Sequence, residues 1–192
     1  AKQGHLNVLY LYDSGAGARK IQHFEATLFK NEQLALAMKP FRCLKLDVAK
    51  DPVARERYGS KLPRFITFNA KGQQVSEVAL RGYKASARPV LGVLVKTAKG
   101  HGEMPLTTFV KLYRTFLNDL DKLEDRKGTF AQKMARAEAK GSASKLKKLA
   151  KEESRIARDE QDLLAREREL LKAVKASTPV AANGRRMVAQ KR

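Results

Sequence analysis

The spacing of apolar residues changes period near the middle of this 192-residue chain, and that change limits the folds open to it. Up to about residue 98, apolar residues come in short runs separated by turn formers. From Phe109 they recur in alternating steps of four and three: Phe109, Tyr113, Phe116, Leu120, Leu123, Lys127, Phe130, Met134 and Ala137, with Lys127 as the one polar interruption. Gly141-Ser142-Ala143-Ser144 breaks this stripe. A second stripe then repeats every seven residues at Leu149, Ile156, Leu163 and Leu170, widened by Leu164, Leu171 and Val174. Two heptad stripes joined by small turn residues predict an antiparallel helical hairpin, with arms about 45–50 Å long at about 1.5 Å per residue. The alternative is one long helix in an interchain coiled coil, which would make the chain a homo-oligomer. Folding back at Gly141 would bring Met134 to Leu149, Leu120 to Leu163 and Tyr113 to Leu170. Glu153, Glu160 and Glu167 fall on the seam of the second arm and weaken it, so such a hairpin is expected to pack on the first half or on a partner.

In the first half, Leu6–Tyr12 is short, apolar and rich in strand formers, and Asp13-Ser14-Gly15-Ala16-Gly17 supplies a turn. Ile21, Phe24, Leu28, Leu34 and Met38 mark an amphipathic helix interrupted near Asn31 and ended by Pro40. Phe41–Val48 reads as a second buried strand. Asp51-Pro52 pairs an N-cap with a proline at the first helical position, opening a short helix that Gly59 stops. Leu62-Pro63, Phe65–Phe68, the turn Asn69–Gly72 and Val75–Leu80 form a hairpin signal, followed by Gly82. Ser86 then caps a last helix through about Lys96. The order is β-α-β-α-β-β-α, in which helix-crossed strands pair in parallel and the hairpin adds an antiparallel edge.

With these residues in order, residues 6–98 resemble the thioredoxin superfamily, especially its shorter thioredoxin-like branch. That branch carries Cys-x-x-Cys-Lys-x-Met-Glu-x-x-x-Phe at its first helix. Phe24-Glu25 stands in the Met-Glu place and Leu28-Phe29 in the apolar-Phe place, which puts the expected cysteines at Ala18 and Ile21. An alternative register, matching Lys20 to the lysine of the motif, puts them at Ala16 and Arg19, and neither register yields a thiol. Pro63 of Leu62-Pro63 resembles the family's structural cis-proline. The resemblance implies an α/β thioredoxin-like mixed sheet of four or five strands flanked by helices, followed here by a C-terminal all-α antiparallel hairpin. It implies no activity. Thiol–disulfide exchange needs an attacking thiolate and a resolving thiol, which alanine and isoleucine cannot supply. The expected organisation is a thioredoxin-like domain over 1–98, a linker over 99–104, a helical hairpin or coiled coil over 105–176 and a basic tail over 177–192.

The formal charge is +20, split +11 and +9 between residues 1–100 and 101–192. Such a surplus favours acidic or polyanionic partners. The densest clusters are Lys145, Lys147, Lys148 and Lys151, and in the tail Arg185, Arg186, Lys191 and Arg192. Nucleic-acid binders usually interleave aromatic residues with such clusters, and the tail has none. In the second arm cations alternate with carboxylates, as on a protein-binding face. The expected function is therefore a non-catalytic interaction subunit that binds acidic protein partners within a larger assembly. A nucleic-acid-binding protein and a redox-linked chaperone holding peptides beside Pro63 are the alternatives. Cys43, the single cysteine, reads as a small buried hydrophobe of the second strand. His5, His23 and His101 lack ligand spacing, so no metal or other cofactor is expected. Ser14 lacks the strand–turn–helix context of a nucleophile elbow, and Gly15-x-Gly17 lacks the third glycine of a dinucleotide fingerprint. The chain begins at Ala1, which fits removal of a signal peptide ending in a small residue and an extracytoplasmic location; loss of an initiator Met, in the cytoplasm, gives the same start.

Overall fold

The computed structural model describes residues 4–59 and 61–174. Strand β1 is Leu6–Tyr12 and β2 is Phe41–Asp47, linked by helices α1 (Ala18–Phe29) and α2 (Glu32–Met38). The break between the two helices falls at Asn31, whose Oδ1 accepts the Leu34 N–H at 3.0 Å. Helix α3 (Pro52–Tyr58) starts from an Asp51 cap, with Oδ1 accepting the Ala54 N–H at 2.9 Å. Strands β3 (Arg64–Phe68) and β4 (Gln74–Ala79) form the hairpin, and α4 (Ala87–Ala98) closes the first half. The sheet order is β2-β1-β3-β4, with β1 parallel to β2 and antiparallel to β3. It is a four-stranded mixed sheet flanked by helices.

One face of this sheet carries the main core. Leu6, Val8 and Tyr10 of β1 and Phe65 of β3 pack with Phe24 and Leu28 of α1, Leu34 of α2, and Val90 and Leu94 of α4. The same core continues without a break into the C-terminal helices α5 (Leu106–Ala139) and α6 (Ala143–Val174). Leu106, Phe109, Tyr113 and Phe116 from α5, with Leu170 and Val174 from α6, are all buried in it. The two helices pack on each other as an intrachain antiparallel hairpin. Its turn is Gly141–Ser142, with Gly141 at a φ of 57°.

At the base of the hairpin the backbones come too close for a side chain. Met104 donates its N–H to the Ala173 carbonyl at 3.2 Å, and a Cβ on Gly102 would lie 2.7 Å from that same oxygen. Residues 99–104, expected as a linker, are thus held against the last turn of α6.

The opposite sheet face is covered only at one end, where Leu11, Val48 and Ile66 pack with Tyr58 and Leu62. This corrects two sequence expectations. Strand β2 lies at the sheet edge rather than in the interior, so Leu44 is 60% exposed and Cys43 is exposed as well. Cys43 is in register with Val8 of β1, which is buried, but on the edge strand it is itself exposed. Its thiol makes only a long contact to the Phe41 carbonyl, at 3.8 Å. Leu164, expected to widen the second stripe, is 45% exposed because its side of α6 turns away from α5.

An exposed cysteine on an edge strand gives a clear expectation for mutagenesis. Cys43→Ser should change unfolding free energy by no more than about 0.5 kcal/mol, the range of ordinary surface substitutions. In the native protein Cys43 should react fully with a disulfide reagent without denaturant. It should react slowly at neutral pH, because partial desolvation of the thiol pushes its pKa up. A loss of several kcal/mol, or a thiol that reacts only after unfolding, would contradict the edge placement.

Candidate functional site

Two regions bear on function: the start of α1, where the resemblance locates a redox motif, and the far end of the hairpin. At the first, Asp13 Oδ1 accepts the Gly15 N–H at 2.8 Å and closes a short 3-10 turn, Ser14–Ala16. Gly17, at φ 98° and ψ 128°, then turns the chain into α1. Ala18 is the first residue of that helix and is exposed, while Ile21 lies one turn on and is buried. Pro63, in a cis peptide bond with Leu62, accepts the Leu80 N–H on its carbonyl at 2.8 Å.

This loop is fastened from two sides. Asp47, at the end of β2, accepts the Ser14 and Ala49 N–H groups on Oδ1, each at 3.1 Å. Burial alone would raise its carboxyl pKa, but these bonds, with Lys50 nearby, outweigh burial and hold it below the ordinary value. From the other side Tyr83 reaches across. Its hydroxyl accepts the Asp13 N–H at 3.0 Å and donates to the Asp13 carbonyl at 3.2 Å. Tyr83 does so from a φ of 59°, a conformation unusual for a bulky residue. Lys20 lies over its ring at 5.2 Å.

Beneath α1 lie Tyr10, Glu25 and Lys45, and the buried Tyr10 hydroxyl has no hydrogen-bond partner among the described residues. Lys45 pairs with Glu25 at 2.7 Å and stacks over the Tyr12 ring at 4.5 Å. Burial, and then Glu25, push the Tyr10 phenol pKa far up. Ser14 of this loop is exposed, and the described residues contain no cluster of three or more metal-ligating side chains. His101 is half-buried near His5, and burial followed by that neighbour lowers its pKa.

The hairpin carries the other candidate surface. Near its base Lys39, which caps the C-terminus of α2, donates to the Tyr113 hydroxyl at 3.0 Å, and that hydroxyl donates to Glu167 of α6. Burial, then the bond to Glu167, raise the Tyr113 pKa, with Lys39 opposing. Beyond this node, cross-arm ion pairs form a ladder: Arg166 with Asp119 at 2.9 Å, Lys127 with Glu160 at 2.7 Å, Arg126 with Asp159 at 2.7 Å, and Lys133 with Glu152 at 2.9 Å. The polar interruption in one stripe and a carboxylate on the other seam are therefore partners. Hydrogen bonds to Glu160 and Glu124 raise the Lys127 pKa. These contacts run within about one turn of the register expected from the stripes.

Past Lys133 the ladder stops and a cleft of about 330 Å³ opens between the arms. Lys145 and Lys148, two of the four cations expected on α6, line it. Lys147 and Lys151 are exposed on α6 but do not line it. Lys133, Arg136 and Lys140 of α5 complete the basic wall, over a floor of Ala137 and Leu149. These three were not among the expected residues. Their spacing on the side of Ala137 was a usable signal, because the hairpin turn brings that side opposite Lys145 and Lys148. Arg185, Arg186, Lys191 and Arg192 lie outside the described residues.

No helix among the described residues is long and apolar enough to cross a membrane. No family model matches the chain, and no curated protein matches it significantly in sequence.

The Asp47 fastening makes a pH-dependent prediction. Asp47→Ala leaves two backbone donors without their acceptor and should cost about 1–3 kcal/mol at neutral pH. A carboxyl whose folded pKa is depressed contributes stability that is present above its unfolded pKa of about 3.9 and is lost as pH falls through the folded value. The difference between parent and variant in urea unfolding should therefore be constant near neutrality and shrink below about pH 4. A difference that grows with acid would contradict the assignment.

Proposed function

We propose that this chain is a redox-silent, thioredoxin-like interaction subunit that binds acidic protein partners within a larger assembly. One observation carries the reading: a helix starts at Ala18 and buries Ile21, the two positions where the resemblance expects cysteines, while cations collect at the far end of the hairpin, four of them without an ion-pair partner among the described residues. The strand order β2-β1-β3-β4, with α1 following β1 and a β-hairpin completing the sheet, supports the thioredoxin-like assignment. The start of α1 at Ala18 favours that position over Ala16 for the missing first cysteine. Tyr83, Asp47 and Glu25 each make a polar contact within the chain, which supports reading the loop before α1 as a structural element. The charge of +20 favours acidic partners and disfavours self-association through basic surfaces. Lysines outnumber arginines four to one around the tip cleft, and no aromatic side chain lines it. That composition suits carboxylates better than stacked bases.

The test is to restore what the chain lacks. The parent protein should show no thiol-dependent insulin reduction, and Cys43→Ser should not alter that background. Ala18→Cys combined with Ile21→Cys should form an intrachain disulfide on mild oxidation and should reduce insulin when supplied with dithiothreitol. Parent activity abolished by Cys43→Ser would overturn the silent reading. A double-cysteine variant that forms no intrachain disulfide would remove the thioredoxin-like assignment of this loop.

A further inference from the structure

The hairpin is charge-neutralised along most of its length and not at its end. From Asp119 to Lys133, cations of one arm repeatedly meet carboxylates of the other. At the next step toward the turn the α6 positions hold Lys145 and Lys148, so α5 cations face α6 cations. Between residues 134 and 151 there are six Lys or Arg and one carboxylate, Glu138. Among the described residues, Arg136, Lys140, Lys145 and Lys148 have no carboxylate within ion-pair distance, and only Lys133 of the five lining cations is paired.

The first turn of α6 adds to this imbalance. It contains no acidic residue, and Lys145 sits in it. A helix N-terminus carries partial positive charge, so a lysine there is repelled where a carboxylate would be stabilised. Local electrostatics thus work against the folded tip, although they are satisfied along the rest of the hairpin. Such a conflict confined to one solvent-facing cleft points to a ligand rather than to folding.

Building on the reading of the chain as an interaction subunit, we propose that the tip cleft is the docking site for an acidic segment of a partner protein. The segment continues the cross-arm ladder with its own carboxylates, meeting Arg136 and Lys140 on one side and Lys145 and Lys148 on the other. The floor of Ala137 and Leu149 and the lysine stems give it an apolar bed. Nucleic acid fits less well, because one arginine and no aromatic residue line the cleft. The cleft also lies far from the sheet. Leu149 and Leu170 are about 30 Å apart along α6 at about 1.5 Å per residue, so a partner bound at the tip leaves the α1 loop untouched.

The experiment uses the full chain and two probes: a fluorescent peptide of glutamates interrupted by leucines, and a single-stranded oligonucleotide of the same net charge. Peptide affinity is expected to fall at least tenfold in Arg136→Glu/Lys145→Glu/Lys148→Glu. It should fall only a few-fold in Lys61→Glu/Lys84→Glu/Lys99→Glu, which makes the same charge change away from the tip. The single variant Lys145→Glu should raise Tm while weakening peptide binding, a combination that loss of folding cannot produce. Equal losses in the two triple variants, no peptide binding by the parent, or an unchanged or lower Tm in Lys145→Glu would overturn the proposal. Tighter binding of the oligonucleotide, lost on tip reversal, would instead make the cleft a phosphate site and overturn it. Insulin reduction by the parent protein would count against the redox-silent reading alone, and peptide binding that ignores the tip would count against this inference alone.

Discussion

The arrangement depends on one contact region, where the aromatic stripe of α5 docks against α2 and α4. Phe109, Tyr113 and Phe116 are buried there, with ring centroids 5.3 Å and 5.2 Å apart along the series. Each such side chain removes roughly 150–250 Å² from water, so the three together outweigh any ion pair on the hairpin surface. Tyr113 gives the contact its orientation. An aromatic ring alone could slide, but a hydroxyl held between Lys39 and Glu167 fixes α2, α5 and α6 relative to one another. The close approach of Gly102 to the Ala173 carbonyl does the same for the backbone.

The two ends of the hairpin are consequently unlike each other. Its base belongs to the core of the sheet. Its middle is held by a narrow apolar seam, including Leu123 and Ile156, and by paired charges. Its tip has only the floor residues Ala137 and Leu149 buried beneath an excess of cations. Isolated ion pairs on exposed helices contribute little stability, so the ladder acts mainly to fix register. Of the cations lining the tip cleft, Arg136, Lys140, Lys145 and Lys148 have no ion-pair partner among the described residues. Rigid attachment at one end and unbalanced charge at the other is the physical basis for reading the hairpin as an arm that presents a binding surface.

Local signals in the sequence anticipated much of this fold. The helix break at Asn31, the Asp51-Pro52 start and the small-residue turn at Gly141 each rest on the conformational preference of one or two residues, and each element lies where those preferences put it. The placement of β2 was not legible in that way. Phe41–Val48 has the apolar content of a buried strand, but burial depends on strand order and on which helices reach each face. No local pattern announces that Cys43 and Leu44 stand at an edge. At the tip the sequence exposed only half of the cleft. The cluster on α6 is dense enough to notice, whereas Lys133, Arg136 and Lys140 are spread along a helix and acquire meaning only when the arms fold together. The polar breaks at Lys127 and Glu160, which read as weaknesses of two separate stripes, turn out to be partners.

Native-state hydrogen exchange under increasing denaturant tests most directly whether sheet and hairpin base form one cooperative core. The amides of Phe109, Tyr113 and Phe116 and those of Val8, Tyr10 and Phe65 should converge on a single opening free energy equal to that of global unfolding. Amides near Gly141 should open at much lower cost. Separate free energies for the α5 base and the sheet, with α5 exchanging while β1 and β3 remain protected, would contradict the account and make the hairpin an independently folding appendage.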